Sequence, residues 1–72
     1  MNEELELNKL GQRIKELRIA AGYDTPEAFA KDYDIPIEEY LLYEQGVDMD
    51  LLTVLALTMF LGITPTLFFK GL

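Results

Sequence analysis

The spacing of apolar residues predicts helices along the whole chain. In the first segment, apolar residues recur at intervals of three and four, which places them on one helix face: Leu7, Leu10, Ile14, Leu17 and Ala21. Gly22 is expected to end this helix. The alternating pattern of a strand does not occur. We therefore expect an all-α protein whose first helix covers approximately residues 7–21.

A second helix is expected after Thr25. The Thr25 hydroxyl can cap the helix, and Pro26 suits its first position because its ring fixes φ there and its missing N–H costs nothing. Ala28, Phe29 and Tyr33 would then face the core. The pattern predicts a helix of about two turns over residues 26–33.

The third helix is expected over residues 37–45. Pro36 favours a helix start after a tight turn that contains Asp34, and Gly46 can end the helix. Tyr40 and Tyr43 are expected to face the core, and Leu41 is compatible with either side.

Two more helices complete the predicted fold. Either Asp48 or Asp50 can cap a helix over residues 51–61, and Gly62 ends it. Thr64 and Pro65 then open a last short helix over residues 65–70, in which Phe68 is expected to close the core. The whole chain, residues 1–72, is expected to form a single domain.

Composition narrows the chemistry available to this chain. There is no cysteine and no histidine, so thiolate or imidazole catalysis and most transition-metal sites lose their usual groups. The adjacent carboxylates Glu38 and Glu39 point about 100° apart on a helix, as on a solvated face. We expect a protein that is not an enzyme and has no metal and no cofactor.

The net charge and the hydrophobic content of the chain indicate which partners it can bind. The formal net charge of -7 opposes attraction to phosphate. Half of the residues are hydrophobic. Those that a small core cannot bury can lie on the surface and contact a partner.

A membrane span is not expected, although the run from Leu51 to Phe69 is uncharged. Gly62 and Pro65 split that run into two helices. The acidic N-terminal segment lacks the apolar stretch of a signal peptide, so a cytoplasmic protein is expected.

Four segments together resemble the lambda-repressor-like Cro/CI (XRE) helix-turn-helix family. They are LGQRIKELRIAAG, TPEAFAKDYDIP, EEYLLYEQG and LLTVLALTMFLGITPTLFF, and they cover about Leu10 to Phe69. The most specific features are Leu-Arg before Gly22, Phe-Ala at 29 and 30, Glu-x-Gly at 44 to 46 and Leu-Gly-Ile-Thr at 61 to 64. The resemblance implies a five-helix fold.

The resemblance also implies an ion pair between Arg18 and Glu44, which would tie the first helix to the end of the third. The two groups can share charge-assisted hydrogen bonds at a partly dry junction. The alternative is that both side chains lie on solvated faces.

By family position, Pro26, Ile37, Glu38 and Leu42 would face DNA bases, and Gln45 would face phosphate. Only Glu38 among the base-facing residues could hydrogen-bond a base, by accepting from cytosine N4. Lysines and arginines at four positions could flank this surface: Lys9, Arg13, Lys15 and Lys31.

A homodimer through the last two helices is expected, as the resemblance also implies. The fourth helix is apolar nearly all round, and a short chain has little with which to enclose it. The candidate interface residues are Leu52, Ala56, Met59, Phe60 and Leu67. The alternative is that the last helix and the N-terminal arm cover this surface within one chain.

Two functions are compatible with these observations. One is a DNA-binding transcriptional regulator of the Cro/CI type, antitoxin-like, which acts as a dimer with helix three toward the major groove of double-stranded DNA. The other is a protein-interaction module that keeps the fold and has lost DNA binding. In that case the partner protein would contact a patch formed by Ile37, Leu41 and Leu42.

Overall fold

The computed structural model describes residues 3–47 and 49–70, with side chains from Lys9 onward in these ranges. Within them the chain forms five α-helices and no strand, which confirms the predicted all-α class. The helices are α1 (Glu3–Ala20), α2 (Pro26–Asp32), α3 (Ile37–Gln45), α4 (Leu51–Leu61) and α5 (Pro65–Lys70).

Three helix ends differ from the expected ones: both ends of α1, which stops at Ala20 rather than residue 21, and the end of α2. α1 begins at Glu3, earlier than residue 7, because the segment EELE consists of good helix formers. The spacing of apolar residues alone could not predict this extension. α2 ends at Asp32, and Tyr33 forms its C-cap.

Side-chain caps fix the starts of three helices. Thr25 Oγ1 accepts a hydrogen bond from the Ala28 amide at 3.1 Å, and Thr64 Oγ1 accepts one from the Leu67 amide at 3.1 Å. Asp50 caps α4 by accepting from the Thr53 amide at 2.7 Å, and this bond lowers the pKa of the Asp50 carboxyl. The alternative cap, Asp48, lies outside the described residues.

Residues in left-handed backbone conformations end α3 and α4 and shape the turn between α2 and α3. Gly46 has φ 78° and Gly62 has φ 74°, a region that glycine enters without steric cost. Asp34 has φ 57° in the turn, where an aspartate is better tolerated than most side chains. The Ile35 amide donates to the Ala30 carbonyl at 2.8 Å, which brings the chain directly from α2 into α3.

The core lies where α1, α2, α3 and α4 meet, and α5 closes it. Phe29 packs against Tyr40 and Tyr33, with ring centroids 5.1 Å and 4.8 Å apart. Phe68 is completely buried, as predicted. The buried hydrophobic residues are Ile14, Phe29, Ala30, Tyr40, Val54, Leu57, Leu61 and Phe68.

Some predicted core positions were wrong. Ala28 is exposed, and Ala30 is buried instead, because positions 29 and 30 of this short helix face the core together. Ala21 is exposed because α1 has already ended at Ala20. Leu41, compatible with either side, is 37% exposed. The side chain of Leu7 lies outside the described part of the structure.

α1 and α3 make a close backbone contact at Gly11. A Cβ atom at this position would lie 2.7 Å from the Gly46 amide nitrogen and closer still to the Glu44 carbonyl oxygen. Gly11 is itself buried inside α1. The absence of a side chain therefore lets α1 pack directly on the C-terminal end of α3.

Candidate recognition surface

The exposed side of α3 carries three of the five predicted DNA-facing residues. Glu38, Leu42 and Gln45 are exposed, and their separations of four and three place them along one stripe of the helix. Ile37 is half-buried and packs against the core, and Pro26 is half-buried at the start of α2. The stripe formed by Glu38, Leu42 and Gln45 is the recognition stripe below.

The predicted ion pair between Arg18 and Glu44 is present and holds α3 against α1. Arg18 Nε donates to Glu44 Oε2 at 2.6 Å, and the side chains are only 3% and 10% exposed. Arg18 Nη1 also donates to the Tyr23 carbonyl oxygen at 2.7 Å, in the segment that leads into α2. One guanidinium therefore joins three parts of the chain.

Tyr40 completes this junction. Its hydroxyl donates to the same Glu44 oxygen at 2.7 Å. Burial, and then the hydrogen bond to the carboxylate, raises the pKa of the Tyr40 phenol. Within the described residues, no buried side-chain nitrogen or oxygen lacks a hydrogen-bond partner. The junction is thus a polar network in which the buried groups are hydrogen-bonded.

Arg13 is held by α5 and does not stand free beside the recognition stripe. Its Nε donates to the Phe68 carbonyl and its Nη2 to the Leu67 carbonyl, both at 3.1 Å. These carbonyls lie in the last turn of α5, where a cation is favoured by the helix dipole. Arg13 therefore fixes α5 against α1, a role that the local spacing did not predict.

Few cations remain for binding phosphate. The chain has six lysines and arginines against thirteen carboxylates. Arg13 and Arg18 are both engaged with protein groups. The other four are exposed lysines: Lys9, Lys15, Lys31 and Lys70.

The outward side of α4 is apolar. Leu52 is 76% exposed and Met59 is 78% exposed, and they are separated by seven positions, which is two helical turns. Leu67 in α5 is 49% exposed. Phe60 is half-buried and stacks on Tyr33 at a centroid distance of 4.6 Å. Of the five candidate interface residues, Leu52, Met59 and Leu67 are thus exposed, whereas Ala56 and Phe60 are half-buried.

A cavity of about 200 Å³ lies between α4, α3 and the turn before α3. Ala56 and Phe60 line one side of it, and Glu39 and Tyr43 line another. Burial first, and the Glu39 carboxylate second, raises the pKa of Tyr43 to about 12. The phenol therefore stays protonated over the ordinary pH range.

The described part of the chain contains no group of three or more Asp, Glu, His or Cys side chains that could hold a metal ion. None of its helices combines the length and apolar character needed to cross a membrane. The uncharged run after Asp50 is divided into α4 and α5 at Gly62.

Comparisons of the chain with protein-family models, with curated proteins and with solved structures found no match. The resemblance to the Cro/CI family therefore stays a prediction from the residues themselves.

Proposed function

We propose that this chain is a lambda-repressor-like helix-turn-helix domain of the Cro/CI type, which regulates transcription as a homodimer with α3 toward the major groove of DNA. The observation that carries the proposal is the junction of Arg18, Glu44 and Tyr40. It braces the C-terminal half of α3 on α1 and leaves the recognition stripe on the outside. A recognition helix needs both this rigid support and this exposure.

The proposed base and phosphate contacts are few. Glu38 can accept from cytosine N4, and the Gln45 amide can donate to a phosphate oxygen. Counterion release, which drives DNA binding, must come from the four exposed lysines; because they lie on three different helices, we expect about one of them per chain to reach a phosphate. Because both arginines are engaged elsewhere, we expect weak affinity with a shallow salt dependence.

The homodimer is proposed through the outward side of α4 together with Leu67. Two identical chains of charge -7 repel one another, and this repulsion is least where the surfaces carry no charge. α4 has no charged residue from Leu51 to Leu61. Pairing there removes its most exposed apolar side chains, Leu52 and Met59, from water.

The test is binding to duplexes of the chain's own upstream DNA at low salt. Glu38→Ala and Glu16→Ala remove the same charge from exposed positions, one on the recognition stripe and one on α1. Both should strengthen non-specific binding, but only Glu38→Ala should lose discrimination between duplexes with and without the preferred cytosine. No binding of the parent protein at low salt would overturn the proposal.

A second function is favoured by the chemistry of α3. Leu41, Leu42 and Val47 are 37%, 36% and 41% exposed, and Glu38 and Glu39 lie beside them. Aliphatic side chains with a polar rim are typical of a protein interface. The second candidate is therefore a protein-interaction module with the same fold.

A photo-crosslinking amino acid at position 42 separates the two functions in one experiment, with the same group at position 16 as control. The regulator gives a DNA adduct at position 42, whereas the interaction module gives a discrete protein adduct. Equal adducts at positions 42 and 16 would contradict both.

A further inference from the structure

Aliphatic side chains lie open to solvent at the C-terminal end of α3. Leu41, Leu42 and Val47 are each more than a third exposed. The Val47 amide donates to the Leu42 carbonyl at 2.8 Å across Gly46, a helix ending in which the apolar side chains on either side of the glycine commonly pack together. These three residues, the α3 patch below, are therefore neighbours on one surface.

Two carboxylates lie one helical turn before the α3 patch. Glu38 precedes Leu42 by four residues and Glu39 precedes it by three, spacings at which Cβ atoms on a helix are about 5 to 6 Å apart. Both glutamates are exposed. Viewed down the helix axis, Leu42 lies between them, so the α3 patch has an acidic edge toward the start of the helix.

The neighbouring parts of the chain supply no positive charge to this edge. Between Lys31 and Lys70 the sequence contains no lysine, arginine or histidine. Arg18 of α1 contacts α3, but it is already paired with Glu44 at 2.6 Å. Residues of α3 and α4 therefore do not balance the charges beside the α3 patch.

We propose that the α3 patch binds a basic amphipathic helix of a partner protein. This inference rests on the second candidate function, in which α3 is a protein interface, and it names the chemistry of the partner. Aliphatic side chains of the partner helix cover the α3 patch, and its lysines or arginines lie beside Glu38 and Glu39. A second copy of this chain does not fit here, because it would bring the same carboxylates together.

A helix fits this surface better than an extended segment. An extended peptide binds by adding a strand to the edge of a sheet, and residues 3–47 and 49–70 form no strand. A helix instead packs its rows of side chains between those of another helix. Lysine and arginine at the margin of its apolar face extend their charged ends past that face, toward Glu38 and Glu39.

The first test is the binding of synthetic peptides to the full chain at neutral pH, followed by NMR. A basic peptide of about 18 residues, or five helical turns, carries leucines on one helix face and lysines on the others. It should give saturable shifts of the Leu41, Leu42 and Val47 amides. A peptide with the same residues in scrambled order should bind several-fold more weakly, and one with glutamate in place of lysine should not bind.

Three results of this titration would overturn the proposal. Equal binding of the ordered and scrambled basic peptides would show attraction by charge alone. Shifts centred on Leu52 and Met59 would place the peptide on α4 instead of α3. No saturable binding of the ordered basic peptide would exclude a partner of this chemistry.

Matched variants test the residues of the site, all of which are exposed, so the fold should be preserved. Leu42→Ser should weaken binding of the ordered basic peptide by roughly five-fold, whereas Ile19→Ser, at an exposed aliphatic residue of α1, should leave it unchanged. Glu38→Gln should weaken it by roughly two- to five-fold, the effect of losing one exposed ion pair. Glu16→Gln removes the same charge from α1 and should have no effect. Equal losses in a variant and its control would contradict the site.

Photo-crosslinking at position 42 separates a failure of this proposal from a failure of the function on which it rests. A discrete protein adduct without binding of the basic peptide would keep the interaction module and overturn the basic partner. A DNA adduct without binding of the peptide would overturn both the basic partner and the interaction module. An adduct whose crosslinked segment, identified by mass spectrometry, is a helix with an aliphatic face and flanking lysines or arginines would support the proposal.

Discussion

The junction between α1 and α3 differs sharply from the outward side of α4. At the junction, Arg18 and Glu44 are buried and paired, and Tyr40 adds a further hydrogen bond. On α4, Leu52 and Met59 are more than three-quarters exposed. The charged residues of the junction, a type usually found on the surface, are thus inside the protein. The apolar residues of α4, a type usually found in the core, are thus exposed to water.

Because of this difference, we expect the junction to determine the stability of one chain and the outward side of α4 to determine association. Breaking the junction leaves a buried charge without a partner, so its residues should govern the stability of a single chain. Changing exposed side chains of α4 removes few contacts within the chain, so those residues should govern association. Substitutions in the two regions can test this separation.

The largest effect on stability is expected from Arg18→Ala. The variant leaves the Glu44 carboxylate buried and the Tyr23 carbonyl without its donor. The free energy of unfolding in urea should fall by about 3 to 5 kcal/mol, a large share of the stability of a small domain. Arg18→Lys, which keeps the charge, should lose less. A loss below about 1 kcal/mol for Arg18→Ala would show that the ion pair does not brace the fold.

Gly11→Ala is expected to have the next largest effect. The new Cβ would collide with backbone atoms of Glu44 and Gly46, which cannot rotate away. The loss should be about 1 to 3 kcal/mol, although alanine is the better helix former. Gly22→Ala is the control, because that site is sterically open and its φ of 98° costs about 1 kcal/mol. An increase in stability for Gly11→Ala would contradict the close approach of the two helices.

A smaller effect is expected from Arg13→Gln. This change weakens the two hydrogen bonds to the carbonyls of α5 and removes the charge. The free energy of unfolding should fall by about 1 kcal/mol because the site is only half-buried. Lys15→Gln removes the same charge from an exposed position of α1 and should change stability by less than about 0.5 kcal/mol. Equal effects of the two would mean that Arg13 does not hold α5.

The smallest effect on the stability of one chain is expected on α4, where association should change instead. Leu52→Glu and Met59→Glu should each leave the unfolding of the isolated chain within about 0.5 kcal/mol of the parent. In sedimentation equilibrium at micromolar concentration they should be monomers, whereas the parent should be a dimer. Ile19→Glu adds the same charge at an exposed site of α1 and should stay dimeric. A parent that sediments only at 8.2 kDa would refute the proposed dimer.

Signals that act within a few residues allowed the helices to be predicted. Thr25 and Asp50 cap helices that begin at the next residue, and Gly46 and Gly62 end the preceding ones. Each depends on local hydrogen bonding or on local φ, which the chain specifies without its tertiary contacts. The α1 start was missed because it depends on helix propensity rather than on apolar spacing.

Features that depend on distant parts of the chain were harder to predict. The partners of Arg13 lie more than fifty positions away, and nothing near Arg13 indicates them. The close approach at Gly11 likewise appears only when α1 meets α3. The Arg18–Glu44 ion pair was predicted because a family resemblance, rather than local spacing, suggested it.

The salt dependence of DNA binding tests the proposed function most directly. Each phosphate neutralised by a cation contributes about 0.9 to the slope of log affinity against log salt. With both arginines engaged and about one lysine–phosphate contact per chain, the slope of the dimeric parent protein on its own upstream duplex should be shallow, about 2 or less in magnitude. A slope of about 5 or steeper would show a basic phosphate-binding surface and contradict this account. No binding at low salt would also contradict it.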